Sequence, residues 1–196
     1  MTEKNLASKN IAGLLHANDA FAKTFDQSDL PAVPSKHFAI VTCMDARMDP
    51  SAFAGLAAGD AHVIRNAGGR ATEDAIRSLV ISHKFLGTTE WFVIQHTHCG
   101  MATVTDEEIG ALLEQDLETA VLDGERWSNP QRDSSENTKP GSDLGKCLSW
   151  YTIDDLRESV VSDVKLIQDH QLVPSHIKVH GFIYDVKTGL LVPVAP

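Results

Sequence analysis

Two cysteines and a histidine are of the types that bind a transition metal, and they lie in two short segments. Cys43 begins the segment CMDAR, and His96 and Cys99 lie about fifty residues later in the segment HTHC. Thiolate and imidazole are ligands that zinc takes at tetrahedral sites. A catalytic zinc has three protein ligands and leaves its fourth position to water. Cys43, His96 and Cys99 therefore predict an open zinc site of the catalytic type.

Asp45 and Arg47 follow Cys43 at alternate positions. Alternate residues of an extended segment share a face, so the three side chains are expected to point into one cleft. An ionised carboxylate beside a zinc either accepts a hydrogen bond from the zinc-bound water or binds the metal itself. A neighbouring guanidinium, whose planar fork suits a carboxylate, would hold Asp45 in the first arrangement. We assign Asp45 and Arg47 as catalytic residues, and a surface ion pair of little energetic value is the alternative.

Two further residues bear on the set of metal ligands. Chelating residues are usually separated by two or more residues because the chain must turn back toward the metal, and this favours His96 over His98 as the partner of Cys99. His98 is then expected in the pocket wall, as a substrate-binding residue. Cys147 would complete a Cys3His site, which is closed and structural. It follows a polar stretch and lies at no strand end, so the open site is favoured.

Gly68 and Gly69 form a predicted turn before a helix. Backbone N–H groups at such a turn suit an oxyanion, so we assign both glycines to substrate binding. The chain has no GxGxxG or Walker sequence, and nucleotide binding is not expected.

Short apolar runs alternate with segments of helical periodicity. The predicted parallel strands are residues 38–42, 61–65, 91–94 and 177–184. Residues 190–194 are expected to form an antiparallel edge strand. The alternation predicts an α/β fold with a mainly parallel β-sheet of about four strands plus this edge strand, flanked by helices. Cys43 and His96 then lie at strand carboxyl ends, where open α/β sheets bind ligands.

Three other segments complete the predicted organisation. Residues 8–27 have apolar positions at helical spacing, and this helix either packs on its own domain or forms an arm on a second subunit. Thr105 and Glu108 form a predicted capping box, and the apolar stripe of the following helix is expected to continue to Leu117 and Val121. Residues 123–146, rich in Ser, Asn, Asp, Gly and Pro, predict a polar surface insertion.

Length, charge and cysteine content restrict the class of protein. A chain of 196 residues is long enough for one domain, and we treat residues 1–196 as a single zinc-binding domain. The net charge of −10 argues against a nucleic-acid partner. No apolar run approaches a membrane span, and no secretory signal is recognisable. Three widely spaced cysteines do not suggest a disulfide framework, so a reducing, cytoplasmic setting is expected.

The combined motif Cys43-x-Asp45-x-Arg47 with His96-x-x-Cys99-Gly100 resembles the β-class carbonic anhydrases. The segments RNAGG at 65–69 and GFIYD at 181–185 are similar to that family too. The resemblance implies zinc on Cys43, His96 and Cys99, with an Asp45–Arg47 dyad. It also implies a homodimer or dimer of dimers, in which residues 1–34 form an N-terminal helical arm on the partner and active sites lie near the interface.

The resemblance and the site predict an enzyme in which zinc-bound hydroxide attacks a small linear molecule. Carbon dioxide would give bicarbonate. The compact branch that this chain is similar to also includes carbonyl sulfide and carbon disulfide hydrolases, so production of hydrogen sulfide from carbonyl sulfide is the alternative. A non-enzymatic protein with the closed Cys3His zinc site is a third hypothesis.

Overall fold

The structure is a computed structural model that describes residues 3–124, 126–130 and 140–194. The chain divides into two compact units, residues 1–32 and residues 33–196. The first unit contains helix α1 (Glu3–Ala22). The predicted helix at residues 8–27 therefore exists but begins earlier, at Glu3. It also ends earlier, at Ala22, where a turn with a hydrogen bond from Thr24 N to the Phe21 carbonyl oxygen follows.

The second unit alternates strands with helices along most of its length. Its strands are β1 (Phe38–Cys43), β2 (His62–Asn66), β3 (Glu90–His96), β4 (Val121–Asp123), β5 (Arg126–Ser128), β6 (Lys178–Tyr184) and β7 (Leu191–Val194). Its helices are α2 (Pro50–Phe53), α3 (Glu73–Lys84), α4 (Asp106–Gln115) and α5 (Leu156–Gln168). Asp49 and Thr72 cap α2 and α3 with their side chains, as polar residues at these positions predict.

Five strands form one sheet in the order β2-β1-β3-β6-β7. The first four are parallel, and β7 pairs antiparallel with β6 at the edge. The predicted fold class, a parallel sheet of four strands with one antiparallel edge strand, is confirmed. The chain moves outward from β1 first to β2 and then to β3 on the other side. The crevice between the ends of β1 and β3 is therefore the switch point at which open α/β sheets bind ligands.

The two faces of the sheet are packed differently. One face buries Val41, Trp91 and Val93 against apolar side chains of α3 and α5, such as Leu79 and Ile167. The other face forms a second cluster. Its buried members are Ile40, Cys43, Met48, Ile94, Cys99 and Ile153. Cys43 and Cys99, two of the three residues predicted to bind metal, are therefore part of a buried cluster, which limits their side-chain freedom.

Helix α4 ends earlier than the sequence predicts. The capping box of Thr105 and Glu108 is present, but the helix stops at Gln115, and Leu117 and Val121 are exposed rather than part of a buried stripe. The main chain at Ser142 donates a hydrogen bond to the Leu113 carbonyl oxygen (2.7 Å), which satisfies one of the last carbonyls of the helix. This contact joins distant parts of the chain, so local periodicity does not reveal it.

The predicted insertion at 123–146 is described in part. Its first residues belong to a short antiparallel hairpin of β4 and β5, and residues 143–147 form a 3₁₀ helix. Residue 125 and residues 131–139 of the insertion lie outside the described residues. In the described part of the chain, no helix is both long enough and apolar enough to span a membrane.

Candidate metal centre

Three donor side chains converge at the carboxyl ends of β1 and β3. Cys43 is the last residue of β1, His96 is the last residue of β3, and Cys99 precedes a 3₁₀ turn at Gly100–Ala102. Their ligand atoms all lie within 4.8 Å of one another, and all three residues are buried. The two strands are neighbours in the sheet, so their adjacent ends account for this convergence. The structure therefore brings together the three residues that the sequence predicts as metal ligands.

The hydrogen bonding of His96 suits a metal ligand. Its Nδ1 lies 3.0 Å from the Thr97 carbonyl oxygen, an acceptor, so Nδ1 carries the proton and Nε2 presents its lone pair. Nε2 is buried and is one of three buried side-chain N or O atoms without a hydrogen-bond partner among the described residues. A buried nitrogen of this kind is costly unless a metal or a donor binds it. The orphaned Nε2 beside two thiols therefore fits a bound metal ion.

The two sulfurs are spaced as zinc ligands require. The Cys43 and Cys99 Sγ atoms are 4.0 Å apart, against about 3.8 Å for two sulfurs at 2.3 Å from a tetrahedral zinc. The hydrogen bond between them lowers the pKa of Cys43 and raises that of Cys99, because the Cys99 thiol donates to the Cys43 thiolate. A thiolate is the form that binds metals.

The electrostatics of His96 combine opposing effects. Burial alone would lower the pKa of the imidazole, but Cys43, the Thr97 carbonyl group and Asp45 outweigh burial and raise it. A cation at this point is therefore favoured by its surroundings, whether it is a proton or a metal ion.

Asp45 and Arg47 form a bidentate pair at the mouth of the donor cluster. Arg47 Nε donates to Asp45 Oδ1 (2.9 Å) and Arg47 Nη2 donates to Asp45 Oδ2 (2.7 Å). The hydrogen bonds from Arg47 hold the pKa of Asp45 well below its usual range. Asp45 Oδ2 also lies 3.8 Å from His96 Nε2. The carboxylate is thus held beside the donor cluster, although the segment is not extended as the alternating spacing assumes. A turn at residues 46 and 47, in which the Arg47 nitrogen donates to Asp45 Oδ1 (2.9 Å), brings the two side chains together.

Arg65 fixes the segment that carries these residues. Its Nε donates to the Cys43 carbonyl oxygen (3.0 Å) and its Nη2 donates to the Asp45 carbonyl oxygen (2.8 Å). The sequence signals for Arg65 are its place in a predicted strand and in the family-like segment RNAGG, and neither reveals which carbonyl groups its side chain reaches.

Gly68 and Gly69 lie against the end of β1. Both have positive φ angles, +80° and +68°, which glycine adopts without strain. A Cβ on Gly69 would lie 2.7 Å from the Cys43 nitrogen, whereas a Cβ on Gly68 would first meet the side chain of Arg70 at 3.1 Å. The close approach explains the glycine at 69 and places the turn next to the donor cluster. Its role in substrate binding stays a prediction.

His98 and Cys147 both lie outside the donor group. His98 is exposed, and its carbonyl oxygen accepts a hydrogen bond from Arg47 Nη2 (2.9 Å), so its main chain supports the dyad. Cys147 is exposed and has a free thiol. The one group of metal donors found in the described part of the chain does not include it. This geometry favours an open site with three protein ligands over a closed Cys3His site.

A small apolar cavity lies on the sheet face that carries His96. It has a volume of about 140 Å³ and is lined by Phe38, Ile40, Ala54, Phe92, Ile94, Phe182 and Leu191. Ile94 precedes His96 by two residues in β3, so both side chains project from the same face. None of its lining residues belongs to the donor cluster or to the Asp45–Arg47 pair.

Comparison with known proteins agrees with the site. The family model described as carbonic anhydrase matches residues 38–191. Beta-carbonic anhydrase 1 of Mycobacterium tuberculosis is 39% identical over 167 residues, which cover 85% of this chain and 87% of that protein. A carbon disulfide hydrolase of Acidithiobacillus thiooxidans is 37% identical over 159 residues, 79% of this chain and 75% of that protein. A solved carbonic anhydrase from Streptococcus mutans superposes with a TM-score of 0.78 and 38% identity, over 94% of this chain and 97% of that chain.

Proposed function

The chain belongs to the β-carbonic anhydrase family, and from this premise we propose that it is a zinc enzyme that converts carbon dioxide and water reversibly into bicarbonate and a proton. The observation that carries the proposal is the Asp45 carboxylate, which Arg47 holds beside the three donors Cys43, His96 and Cys99. A structural zinc site has four protein ligands and no open position, so an ionised carboxylate fixed beside it would have no bound water to orient.

Cys43, His96 and Cys99 would hold the metal through two sulfurs and His96 Nε2. Bound there, zinc would supply a Lewis acid that lowers the pKa of water toward about 7, less effectively than at an all-histidine site because thiolates donate more charge.

Asp45 orients the attacking water. Oδ1 accepts hydrogen bonds from the main-chain nitrogen and Nε of Arg47, both at 2.9 Å, and Oδ2 accepts one from Nη2. A carboxylate oxygen has two lone-pair directions, so Oδ2 keeps one for the water. Arg47 makes the carboxylate an acceptor at every physiological pH, because it keeps the pKa of Asp45 well below the usual value. The same guanidinium restrains Asp45 from reaching the metal.

The surrounding residues have supporting roles in the proposal. Backbone N–H groups of the Gly68–Gly69 turn would face the oxygen that gains charge as carbon dioxide becomes bicarbonate. His98 is exposed, and its imidazole would exchange protons with solvent near the dyad that its carbonyl oxygen contacts.

A second candidate reaction is hydrolysis of carbonyl sulfide to hydrogen sulfide and carbon dioxide, through thiocarbonate. The similarity to a carbon disulfide hydrolase, 37% identity, is nearly as high as the similarity to a carbonic anhydrase, 39%. The bond-forming step is the same, since water adds to the central carbon of a linear molecule. The two reactions differ in the size and softness of the atom that the pocket must accept.

We also propose that the chain works as a homodimer or a dimer of dimers. Within the N-terminal unit, α1 carries large apolar side chains that are more than half exposed, namely Ile11, Leu14 and Leu15. An exposed apolar stripe of this kind suits contact with a second copy of the chain.

Parallel assays of purified protein test the proposal. Carbon dioxide hydration is measured by stopped-flow pH change, and sulfide release is measured from carbonyl sulfide and from carbon disulfide. We expect hydration to dominate, with about one zinc ion per chain by atomic emission. If sulfide is released while carbon dioxide hydration stays near background, the chain is a carbonyl sulfide or carbon disulfide hydrolase and not a carbonic anhydrase.

Two cysteine variants are the matched controls. Cys43→Ser should lose the metal and all activity, whereas Cys147→Ser should keep both, because Cys147 lies outside the donor group. Zinc loss in Cys147→Ser would contradict the open site.

A further inference from the structure

Arg70, the residue after the glycine turn, forms a buried ion pair with Asp163 of α5. Arg70 Nε donates to Asp163 Oδ2 (2.8 Å) and Arg70 Nη2 donates to Asp163 Oδ1 (3.2 Å). The two side chains are only 13% and 5% exposed. Taking two charges out of water is expensive, so a buried pair is weak evidence of a stabilising role. Because burial of these two charges has a large desolvation penalty, we look for a role of the pair other than stabilising the fold.

Asp163 connects α5 to the strand that carries a metal ligand. Its Oδ2 also accepts hydrogen bonds from the Ala71 nitrogen (3.1 Å) and from Gln95 Nε2 (2.9 Å). Gln95 is fully buried and immediately precedes His96 in β3. One carboxylate therefore ties together α5, β3 and the segment after Gly69.

Arg70 closes the glycine turn through both its main chain and its side chain. The Arg70 nitrogen donates to Asn66 Oδ1 and Asn66 Nδ2 donates to the Arg70 carbonyl oxygen, each at 2.8 Å. Arg70 Nη1 donates to the carbonyl oxygens of Tyr151 (2.7 Å) and Thr152 (2.8 Å). Hydrogen bonds between Asn66 and Arg70 thus join the two ends of the turn at 67–69, and the Arg70 side chain anchors it to Tyr151 and Thr152.

The glycine turn is in close contact with the segment that carries Cys43. The Gly69 backbone leaves no room for a Cβ against the Cys43 nitrogen and the Thr42 carbonyl carbon. The Met44 nitrogen also donates to the Asn66 carbonyl oxygen (2.9 Å), so the turn and the residue after Cys43 are joined by a main-chain hydrogen bond. A shift of the turn would therefore be transmitted to Cys43 and the donor cluster.

We propose that Arg70 and Asp163 are positioning residues, whose buried ion pair holds the Gly68–Gly69 turn in register with Cys43 so that its N–H groups meet the reacting oxygen. Neither residue touches the substrate. The inference rests on the proposed function for its effect on the rate, but the rigidity of the turn is a property of the chain itself.

One variant removes both charges of the pair, and the other removes only the carboxylate charge. Arg70→Met with Asp163→Leu replaces the whole pair by apolar side chains, a change that folded proteins often accept. Asp163→Asn keeps the size and one acceptor oxygen. The control removes an ion pair elsewhere with Arg77→Ala and Asp74→Ala. That pair joins Arg77 Nη2 to Asp74 Oδ1 at 2.8 Å, but its side chains are 67% and 77% exposed.

The measurements separate positioning from folding. We expect amide hydrogen exchange of the segment 66–72 to accelerate at least about tenfold in both buried-pair variants and to stay unchanged in the control. We expect kcat for hydration to fall about 10- to 100-fold with KM within about threefold, because misplacement of catalytic groups by about 1 Å has effects of this size. Zinc content should stay at the wild-type level.

Three results would overturn the proposal. One is a folded variant with wild-type exchange and wild-type kcat. Another is loss of zinc along with activity, which would make the pair a support of the ligands alone. The third is failure of both variants to fold, which would make the pair purely structural. If the wild-type chain has neither hydratase nor sulfide-releasing activity, the proposed function fails, and the exchange rates then decide the inference by themselves.

Discussion

At the scale of single residues, the Asp45–Arg47 pair is the feature on which the proposed reaction depends. Two parallel hydrogen bonds join a guanidinium fork to a carboxylate, and this geometry is both strong and directional. The pair is partly exposed, so its contribution to stability is small. Its importance therefore lies in orientation, and its effects should appear in the rate.

We expect Asp45→Asn to reduce kcat/KM for hydration about 100-fold, because an amide presents donors where the water needs an acceptor. Zinc content should not change, since Asp45 is not a ligand in the proposal. The control is Asp49→Asn, which caps α2 equally well with an amide. Stopped-flow assays and atomic emission provide the two readouts. Full activity in Asp45→Asn would remove this residue from the reaction.

The two glycines should respond differently to the same substitution. Gly69→Ala should cost about 2–4 kcal/mol of unfolding free energy, because the new Cβ meets backbone at 2.7 Å and φ is positive. Gly68→Ala should cost about 1 kcal/mol, because its three nearest neighbours are side-chain atoms of Arg70 (3.1 Å) and Ile153 (3.5 Å) rather than backbone, and the positive φ is the main penalty. Urea unfolding of the two variants measures both values. Equal destabilisation would show that the Gly69 turn can move away from β1.

At the scale of elements, α4 shows how one carboxylate organises a loop. Asp106, the first residue of α4, accepts hydrogen bonds from the Trp150 nitrogen (2.8 Å) and from Thr152 Oγ1 (2.7 Å). Burial alone would raise the pKa of Asp106, but these bonds outweigh it and lower the pKa below its usual range. A carboxylate at a helix N-terminus is also favoured by the helix dipole. The loop before α5 is thus fastened to the start of α4.

We expect Asp106→Asn to destabilise the chain by about 1–2 kcal/mol at pH 7, allowing for solvent screening. A carboxyl whose folded-state pKa is depressed stabilises the fold above its unfolded pKa of about 3.9 and loses that effect as the pH falls through the folded value. The difference between variant and wild type should therefore shrink below about pH 4. The exposed Glu107→Gln is the control, and urea unfolding at pH 7 and pH 3 gives the comparison. A difference independent of pH would contradict the ionic origin.

Whole elements were predictable where local chemistry defines them. The Thr105–Glu108 capping box predicts the start of α4, and it is present. The end of α4 was not predictable, because Ser142 supplies the hydrogen bond that satisfies Leu113 there. The apolar residues Leu117 and Val121 continue the helical spacing by coincidence. The helix nevertheless ends at Gln115, where the distant Ser142 nitrogen bonds the Leu113 carbonyl oxygen.

At the scale of the whole molecule, the order of the strands creates the site. The strands β1 and β3 are neighbours although β2 lies between them in the chain, so their carboxyl ends deliver Cys43 and His96 to one crevice. The N-terminal unit has a different part in the proposal. Its helix α1 leaves Ile11, Leu14 and Leu15 more than half exposed, which we attribute to a contact with a second copy.

We expect the full chain to sediment as a dimer or tetramer and Leu14→Asp with Leu15→Asp to sediment as a monomer. Each leucine buried at an interface contributes about 1.5–3 kcal/mol, and an unpaired carboxylate there would oppose association further. The control is Asn18→Asp, an exposed polar residue of the same helix. Analytical ultracentrifugation gives the masses. A double variant that sediments like the wild type would exclude this stripe from the interface.

The sequence by itself predicted the Cys43, His96 and Cys99 cluster, the Asp45–Arg47 pair and the parallel sheet. Ligand chemistry and strand alternation depend on residue types and spacings, which can be read locally. Only the tertiary structure revealed that Arg65 holds the carbonyl groups of Cys43 and Asp45, that Cys147 lies apart from the donors, and that Arg70 pairs with Asp163. Each of these facts depends on which distant segments meet. Burial and partnership are properties of the packed chain, and residue types alone do not specify them.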